Sequence, residues 1–344
     1  MLPQRPRKGI VTNTGPGDQN DAALAALVNG TRILVTGATG LYGRALIERL
    51  SSLGARVRAV ATRTPTLPLP AAVELMTGTL ADPGLADAVC RGMDGLLHCA
   101  GLRGSIGIQT KQACDLLAGN IAIDFNTLEA ARRAGVARIV YVSTVTVHPP
   151  MEVFREDLAW SANPDPQAQY VAWAKRMAEK LVEAQEVQYG LANTAIVRPV
   201  NTFGPYDNFD PKTALVVPAL IGRVLAGEDP LVVWGDGSAQ RDFLYVDDAV
   251  HGVLLAYRLG LGQGPINIGS GHGVSIRELV EAVVAASGRT PEIRWDPSRP
   301  TGEARKIADT TRARTILGFA PRVTLADGIA RTIRWFRDNG PARR

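Results

Sequence analysis

The sequence has few cysteines, and their positions argue against both disulfides and a metal site. Cys90, Cys99 and Cys114 are the only cysteines among 344 residues, and their separations do not match the spacings typical of zinc ligands. An odd number of thiols without an export signal is typical of reduced cysteines in an intracellular protein. The sequence therefore predicts a cytoplasmic protein with no bound metal.

Long apolar runs and clustered basic charges are also lacking. The basic stretch over residues 1–8 has no apolar segment behind it, which argues against a secretory signal, and no run is long enough to cross a bilayer. The net charge is +5, and the arginines are scattered rather than grouped in the stripe typical of nucleic-acid binders. We therefore expect neither a membrane nor a nucleic acid as partner, because anionic small molecules such as nucleotides suffice to explain the charge.

What the sequence does contain, after residue 31, is a regular alternation of short apolar strands and helices. Strands are predicted over 32–36, 56–61, 95–100 and 138–144, and helices over 42–53 and 121–134. Nearly continuous apolar strands separated by helices are typical of a parallel sheet covered on both faces. The predicted fold class is α/β, a Rossmann doubly wound parallel sheet with a smaller α+β substrate lobe.

Composition divides the chain into three regions. Residues 1–30 begin with many Pro, Gly, Asn and Asp residues and are predicted to be a flexible extension, within which residues 21–27 could add a short helix. Residues 31–200 are predicted to be mainly a dinucleotide-binding Rossmann domain. Residues 201–344 are predicted to be mainly a substrate-binding lobe, with some segments returning to the Rossmann domain.

Three glycines mark a candidate cofactor loop. Gly37, Gly40 and Gly43 follow the first predicted strand and open the first predicted helix. In this context the first glycine permits a tight turn, the second lets the backbone approach a pyrophosphate, and the third allows close helix packing. The pyrophosphate would then meet free N–H groups at the positive end of the helix.

The end of the second strand bears on the choice between NAD and NADP. An acidic side chain there would accept hydrogen bonds from the ribose hydroxyls and repel a 2′-phosphate, but residues 60–63 contain no acid. Arg63, and also Arg44, could instead pair with a 2′-phosphate through charge-assisted hydrogen bonds, although Arg63 could equally be a solvated loop residue. The sequence therefore favours NADP and leaves NAD open.

Several motifs together are more specific than any one alone. They are residues 36–43, 97–101, 120, 142–144, 175–180, 198–205 and 240–248. In these motifs the chain resembles the extended short-chain dehydrogenase/reductases, the NAD-dependent epimerase/dehydratase family of nucleotide-sugar enzymes, over roughly residues 31–337. Residues 205–209 and 233–237 look most like GDP-fucose synthase and its relatives.

The resemblance implies a set of binding residues and a homodimer. The implied cofactor-binding residues are Gly37, Thr39, Gly40, Leu41, Tyr42, Gly43, Arg63, Leu80, Ala100, Gly101, Asn120, Val142, Lys175 and Pro199. Asn201, Arg241 and Arg305 would hold the diphosphate of a nucleotide-sugar substrate, with Thr144 beside the sugar. Arginine suits this role because its guanidinium matches phosphate with a fork of donors.

The resemblance also implies a catalytic set, from which the sequence departs at one position. In the family a tyrosine moves a proton, a Ser or Thr hydrogen-bonds the same oxygen, and a lysine lowers the pKa of the tyrosine. Thr144 and Lys175 match the family positions, but the expected tyrosine position holds Val171, and Tyr170 stands one residue earlier. Residues four apart share a helix face, whereas residues five apart do not.

Two hypotheses follow from this departure. In the first, a π-bulge, or a helix that starts after Tyr170, brings Tyr170 back over Lys175. In the second, Val171 occupies the catalytic face, and the enzyme uses another acid or base or has lost the chemistry.

The implied function is an NAD(P)-dependent nucleotide-sugar epimerase or 4-ketoreductase. Thr146 and Leu215 stand where GDP-fucose synthase has a cysteine and a histidine, so we expect no double epimerisation. The alternatives are a nucleotide-sugar decarboxylase or dehydratase, an enzyme for a non-sugar ketone, or a dinucleotide-binding protein with altered or lost catalysis.

Overall fold

The computed structural model describes residues 16–103, 111–299 and 302–340. Its strands are β1 (Arg32–Thr36), β2 (Arg56–Ala61), β3 (Glu74–Thr77), β4 (Gly95–His98), β5 (Arg138–Val142), β6 (Val153–Phe154), β7 (Thr194–Pro199), β8 (Asn201–Phe203), β9 (Leu231–Trp234), β10 (Gln240–Arg241), β11 (Phe243–Tyr245), β12 (Pro265–Ile268), β13 (Val274–Ser275), β14 (Ile293–Asp296) and β15 (Arg305–Ala308). Its helices are α1 (Pro16–Val28), α2 (Leu41–Ser52), α3 (Pro83–Cys90), α4 (Ala113–Arg133), α5 (Gln169–Tyr189), α6 (Val216–Leu225), α7 (Val246–Leu259), α8 (Ile276–Ser287), α9 (Thr311–Leu317) and α10 (Leu325–Asn339).

Seven strands form one parallel sheet in the order β12-β7-β5-β4-β1-β2-β3. Each neighbouring pair in this sheet is parallel. The chain moves outward from β1 through β2 to β3 on one side, and from β4 outward on the other, so the strand order reverses between β1 and β4. Doubly wound sheets bind ligands at such a switch point, beyond the carboxyl ends of the strands. The predicted α/β fold class is confirmed.

Helices cover both faces of the central sheet, as the strand sequences predicted. Successive residues of β1 point to opposite faces. Ile33 and Val35 pack into a core with α1, α2 and α7, while Leu34 packs into a second core with α3, α4 and α5. Burial on both faces explains why these strands are continuously apolar rather than alternating.

The later part of the chain builds three small sheets. β8 pairs with β11 and β9 pairs with β14, both in parallel. The third sheet has the order β13-β10-β15-β6, so it includes β6 from the earlier part of the chain. Conversely, β12 comes from the later part of the chain and forms an edge strand of the central sheet. The two parts of the chain are thus interleaved rather than joined end to end.

The second half of the predicted N-terminal extension differs from the expectation of flexibility. Residues 1–15 lie outside the described residues, but Pro16–Val28 forms the helix α1, longer than the short helix expected over 21–27. Leu24 and Val28 are fully buried in the core on the α2 and α7 side of the sheet. Their burial stabilises the helix, because short helices depend on packing of an apolar face.

None of the helices in the described part of the chain combines the length and the apolar character needed to span a membrane.

Candidate active site

The glycine loop after β1 has room for glycine alone at two positions. Gly37 has φ +71°, and a Cβ added there would lie 3.0 Å from the backbone N of Ala100. A Cβ on Gly43 would lie 2.1 Å from the carbonyl oxygen of Gly37. Gly40 precedes α2 and cannot cap it with a side chain, so the first turn keeps N–H groups that can bind phosphate.

A pocket beside the glycine loop is formed by segments from distant parts of the sequence. Ala38 and Thr39 of the loop, Arg63 and Thr64 after β2, and Tyr206 all line it. The side chain of Arg63 is exposed. The pocket therefore places a cation where a ribose 2′-phosphate would bind in a doubly wound fold.

Arg44 lines the same pocket, but its guanidinium is already engaged. It donates to Glu48 Oε1 at 2.9 Å and to the carbonyl oxygens of Leu67 at 3.0 Å and Pro68 at 2.5 Å. This differs from the expectation that Arg44 would support Arg63 in pairing with a phosphate. Arg44 instead fixes the loop that follows β2.

The loop that carries Tyr206 reaches back over the glycine loop. Tyr206 has φ +65°, which is uncommon for a residue other than glycine and is often found at functional sites. Its hydroxyl donates to Glu48 Oε1 at 2.8 Å, and Arg44 stacks over its ring at 4.8 Å. Asp207 next to it accepts from Arg103 at 2.9 Å. The sequence alone gave no signal that this loop would border the cofactor pocket.

A cluster of buried polar side chains lies under the carboxyl ends of β1, β4 and β5. We call Thr36, His98, Asp124, Tyr141 and Lys175 the lysine cluster. Lys175 Nζ donates to Asp124 Oδ1 at 3.2 Å, and His98 Nε2 lies 3.0 Å from the same oxygen. Tyr141 donates to Asp124 Oδ2 at 2.7 Å, and its ring lies 4.7 Å from Lys175 Nζ.

The hydrogen bonds of Thr36 fix the protonation of His98. Thr36 Oγ1 accepts from the backbone N–H groups of Cys99 and Ala100, each at 3.0 Å. Its own proton is then directed at His98 Nδ1, 2.7 Å away, so Nδ1 accepts and Nε2 carries the proton that is donated to Asp124. His98 is therefore a neutral imidazole, in agreement with burial, which lowers its pKa.

The remaining pKa shifts in the lysine cluster favour an ionised carboxylate. Burial raises the pKa of Asp124, but Lys175, His98 and Tyr141 outweigh it and hold the pKa below its usual value. Burial, with the adjacent carboxylate, raises the pKa of Tyr141 well above its usual value. The cluster thus contains one ion pair, Lys175 with Asp124, surrounded by neutral donors.

The turn after β4 connects the lysine cluster to the glycine loop. Asn120 Oδ1 accepts from Leu102 N at 2.8 Å, and Nδ2 donates to Leu102 O at 3.0 Å. A Cβ on Gly101 would lie 3.1 Å from Asn120 Oδ1 and 3.6 Å from Lys175 Nζ. Because Ala100 touches both Gly37 and Thr36, the two groups of residues border one cleft at the β1–β4 switch point.

Tyr170 does not share a helix face with Lys175. The segment Gln169–Tyr189 is α-helical throughout, so it has neither the π-bulge nor the later start proposed to realign the pair. Five residues along an α-helix correspond to a rotation of about 140°, whereas four correspond to about 40°. Val171 therefore lies nearer the direction of Lys175, and Tyr170 in the first turn is 36% exposed.

Thr144 follows β5 and caps a short 3₁₀ turn over Val145–Val147. Its Oγ1 accepts from Thr146 N at 3.2 Å and lies 2.8 Å from Thr146 Oγ1. His148, which ends this turn, is buried between the carbonyl oxygens of Val145 and Arg155. Burial lowers the pKa of His148 to about 4, so it is a structural residue of the turn rather than an exposed acid or base.

Of the three residues predicted to hold the diphosphate, Arg241 and Arg305 lie on the paired strands β10 and β15, and Asn201 lies on β8 of another small sheet. Asn201 Nδ2 donates to the carbonyl oxygen of Asp242 at 3.1 Å, directly after Arg241. β10 and β15 pair in parallel with Gln240 opposite Arg305. Asn201 and Arg305 are exposed, and Arg241 is half-buried. Arg241 is the neighbour of Lys306 in this pairing, so the side chains of Arg241 and Arg305 leave opposite faces of the sheet, and Arg241 Nη1 donates to the carbonyl oxygens of Gln240 at 2.7 Å and Glu303 at 2.8 Å.

The other predicted cofactor residues lie at or near strand and helix ends that face the cleft. Leu80 follows β3, and Val142 and Pro199 end β5 and β7, all three buried. Leu41 is buried at the start of α2, and the Tyr42 hydroxyl lies 2.5 Å from Thr202 Oγ1.

Comparisons with known proteins agree on the family. The model of the NAD dependent epimerase/dehydratase family matches residues 33–269. The chain is 32% identical to dTDP-4-dehydro-6-deoxy-D-allose reductase of Streptomyces bikiniensis, over 90% of this chain and 97% of the relative. It is 30% identical to GDP-L-fucose synthase 1 of Arabidopsis thaliana, over 90% of this chain and 94% of the relative. The structure of UDP-glucose 4-epimerase from Thermotoga maritima with UDP-glucose superposes with a TM-score of 0.80 and 26% identity, over 90% of this chain and 99% of that one.

Proposed function

The chain belongs to the NAD-dependent epimerase/dehydratase family, and we propose that it is an NADP(H)-dependent reductase of a keto group on a nucleotide-linked sugar. Two observations support this choice within the family. Its curated relatives include a dTDP-sugar reductase and GDP-L-fucose synthases, and the ion pair of Lys175 with Asp124 suits reduction better than oxidation.

The cleft fits a nicotinamide dinucleotide. Gly37 and Gly43 leave space that a Cβ would fill, so the backbone can approach a pyrophosphate. Arg63 would pair with the 2′-phosphate, and Lys175, beside Gly101, would bind ribose hydroxyls. When bound, the dinucleotide supplies or accepts the hydride.

Reduction and oxidation differ in whether the protein must donate a proton to the sugar oxygen or remove one from it, and the site favours donation. Oxidation of a sugar hydroxyl, the first half of an epimerase cycle, requires a base, and a cation beside a tyrosine favours the phenolate that could serve. Here the ammonium of Lys175 is paired with Asp124 and Tyr170 lies on another face of α5. Reduction of a ketone requires only a proton donor, and a tyrosine is ordinarily protonated at neutral pH.

In this proposal Tyr170 donates the proton and Thr144 hydrogen-bonds the sugar oxygen. Thr146 and Leu215 lack side chains that exchange carbon-bound protons, so the chain reduces the sugar without inverting neighbouring carbons. Asn201, Arg241 and Arg305 bind the diphosphate, because guanidinium groups pair with phosphate through several charge-assisted hydrogen bonds.

The wider setting is also a proposal. The chain acts in the cytoplasm as a homodimer. Free thiols at Cys90, Cys99 and Cys114 suit a reducing compartment. The exposed Val187 and Tyr189 on α5 provide apolar surface for a second copy.

The test is steady-state oxidation of NADPH with dTDP- and GDP-linked 4-keto-6-deoxy sugars, with NADH as the comparison. Tyr170→Phe should lower kcat at least about a hundredfold, since general acid catalysis contributes that much. Tyr189→Phe, an exposed tyrosine on the same helix, is the control and should retain activity. Tight dinucleotide binding without turnover of any nucleotide sugar would instead support a binding protein that has lost catalysis.

A further inference from the structure

Asp124 is placed in an unusual way for a charged residue. It is fully buried in α4, and its carboxylate bonds to side chains from three other elements: His98 from β4, Tyr141 from β5 and Lys175 from α5. A buried ion pair is weak evidence for stability, because removing two charges from water offsets much of their attraction. Stability alone therefore does not explain why this ion pair is buried here.

The surroundings of Lys175 supply a further reason. Its ammonium lies next to Gly101, where a Cβ would be 3.6 Å from Nζ, and this turn borders the switch-point cleft. Lysine has a flexible stem and three rotatable donors, so it does not hold a fixed direction without a partner. Asp124 and the ring of Tyr141 together restrict the position of the ammonium.

We propose that Asp124 is a positioning residue that acts through Lys175, holding its ammonium beside Gly101 for the ribose of the dinucleotide and cancelling its net charge. His98 and Tyr141 satisfy the remaining hydrogen bonds of the carboxylate, and Thr36 keeps His98 in the tautomer that donates. The proposal rests on the proposed function only in requiring that the chain bind a nicotinamide dinucleotide.

The charged and titratable groups that face Lys175 are few in the described residues around it. They are Asp124 from α4, His98 at the end of β4, Cys99 directly after it and Tyr141 from β5; Glu179 lies one turn further along α5. Glu179 is paired with Arg198 at 2.6 Å and accepts from Ser143 at 2.6 Å. Burial raises the pKa of Cys99 to about 12, so the thiol is neutral. Asp124 is therefore the anion that balances Lys175.

The test measures dinucleotide dissociation constants by nicotinamide fluorescence for the wild type and Asp124→Asn. Without the carboxylate, the flexible stem of Lys175 no longer holds the ammonium in one position beside Gly101. We expect Asp124→Asn to bind the dinucleotide about tenfold more weakly, since a hydrogen bond between charged groups is lost. Asp124→Glu keeps the carboxylate and should restore part of the affinity.

A double-mutant cycle shows whether Asp124 acts through Lys175. In a Lys175→Met background, Asp124→Asn should change the dissociation constant no further. The control is Asp248→Asn, another buried carboxylate, which accepts from the backbone N–H groups of Arg322 and Val323 and should leave the affinity unchanged. Thermal melts of each variant establish that it is folded.

Three outcomes would overturn the proposal. One is a loss of affinity for Asp124→Asn no larger than that of Asp248→Asn, which would indicate a structural role alone. Another is an additive effect of the two substitutions in the cycle. The third is a wild type that binds no dinucleotide, which would overturn the proposed function as well. A wild type that binds the dinucleotide but reduces no sugar would contradict the proposed reductase function and not the proposed role of Asp124.

Discussion

At the glycine end of the cleft, from Gly37 to Gly43 with Arg63 and Tyr206, the binding groups are mainly backbone N–H groups. At the other end, the lysine cluster is built from five side chains that come from five different elements. The glycine end depends on the absence of Cβ atoms at Gly37 and Gly43, which lets backbone segments approach closely. The lysine end depends on two buried charges and a neutral histidine whose pKa is lowered by burial, so its stability must vary with pH. The proposed dinucleotide cleft thus combines a closely packed backbone loop at one end with a network of buried side chains at the other.

The largest effect is expected at the glycine end from Gly43→Ala. The new Cβ would lie 2.1 Å from the carbonyl oxygen of Gly37, so the loop must move away from its phosphate-binding geometry. We expect the dissociation constant for the dinucleotide to rise at least about a hundredfold, because several N–H contacts are lost together. Equilibrium fluorescence titration measures this.

Gly222→Ala provides the matched control. Gly222 lies within α6, and its nearest neighbour to an added Cβ is 3.9 Å away. Alanine is favoured over glycine inside a helix. Equal losses of affinity in both variants would show that the close approach at Gly43 is not what shapes the phosphate site.

The next effect concerns stability at the lysine end. Burial lowers the pKa of His98 below its ordinary value of about 6.5, so below that pH the unfolded chain binds a proton that the folded chain does not. The free energy of unfolding should therefore be fully retained above about pH 6.5 and fall by up to about 1.4 kcal/mol per pH unit as the pH drops below it.

His98→Gln isolates this contribution. Glutamine can accept from Thr36 and donate to Asp124 but does not titrate. Urea unfolding at several pH values should show a flatter profile for the variant than for the wild type. Parallel profiles would contradict a buried neutral His98.

A smaller and selective effect is expected from Arg63→Ala. Loss of the charge-assisted pair with the 2′-phosphate should weaken NADPH binding about tenfold and leave NADH binding unchanged. Arg56→Ala, an exposed arginine at the opposite end of β2, should affect neither. If the affinities for NADPH and NADH fall equally, Arg63 does not bind the 2′-phosphate, and the proposed preference for NADP is wrong.

The smallest effect is expected from Tyr206→Phe, which removes the hydrogen bond to Glu48 but keeps the ring stacked on Arg44. One hydrogen bond of this kind contributes about 1 kcal/mol, so the affinity should fall by about fivefold or less. A loss as large as that of Gly43→Ala would mean that the Tyr206 loop, rather than the glycine loop, holds the dinucleotide.

The two ends also differ in how far the sequence reveals them. The glycine end is local: Gly37, Gly40 and Gly43 lie within one turn, and the bounds of β1 and β2 were predicted correctly because their apolar runs are uninterrupted. The expectation for Arg44 was not met, because nothing in the neighbouring sequence shows that its guanidinium would bind the carbonyl oxygens of Leu67 and Pro68.

The lysine end is non-local, and spacing along the chain does not reveal it. Asp124 carried one usable signal, since it falls in the buried stripe of α4 with Asn120, Ile123 and Leu128, where a carboxylate requires partners. Its partners come from strands whose neighbours depend on the order of the sheet. The misplaced tyrosine was visible in the sequence, but only the helix itself shows that Tyr170 and Lys175 stay on different faces.

The most direct test of the reductase proposal follows hydride transfer from NADPH deuterated at the nicotinamide C4, in a single turnover with a 4-keto-6-deoxy nucleotide sugar. Mass spectrometry should find a product heavier than the substrate by one deuterium and one proton, together with a stoichiometric amount of NADP⁺. Recovery of the sugar at unchanged mass, with the dinucleotide in its original redox state, would contradict the proposal that the chain is a reductase.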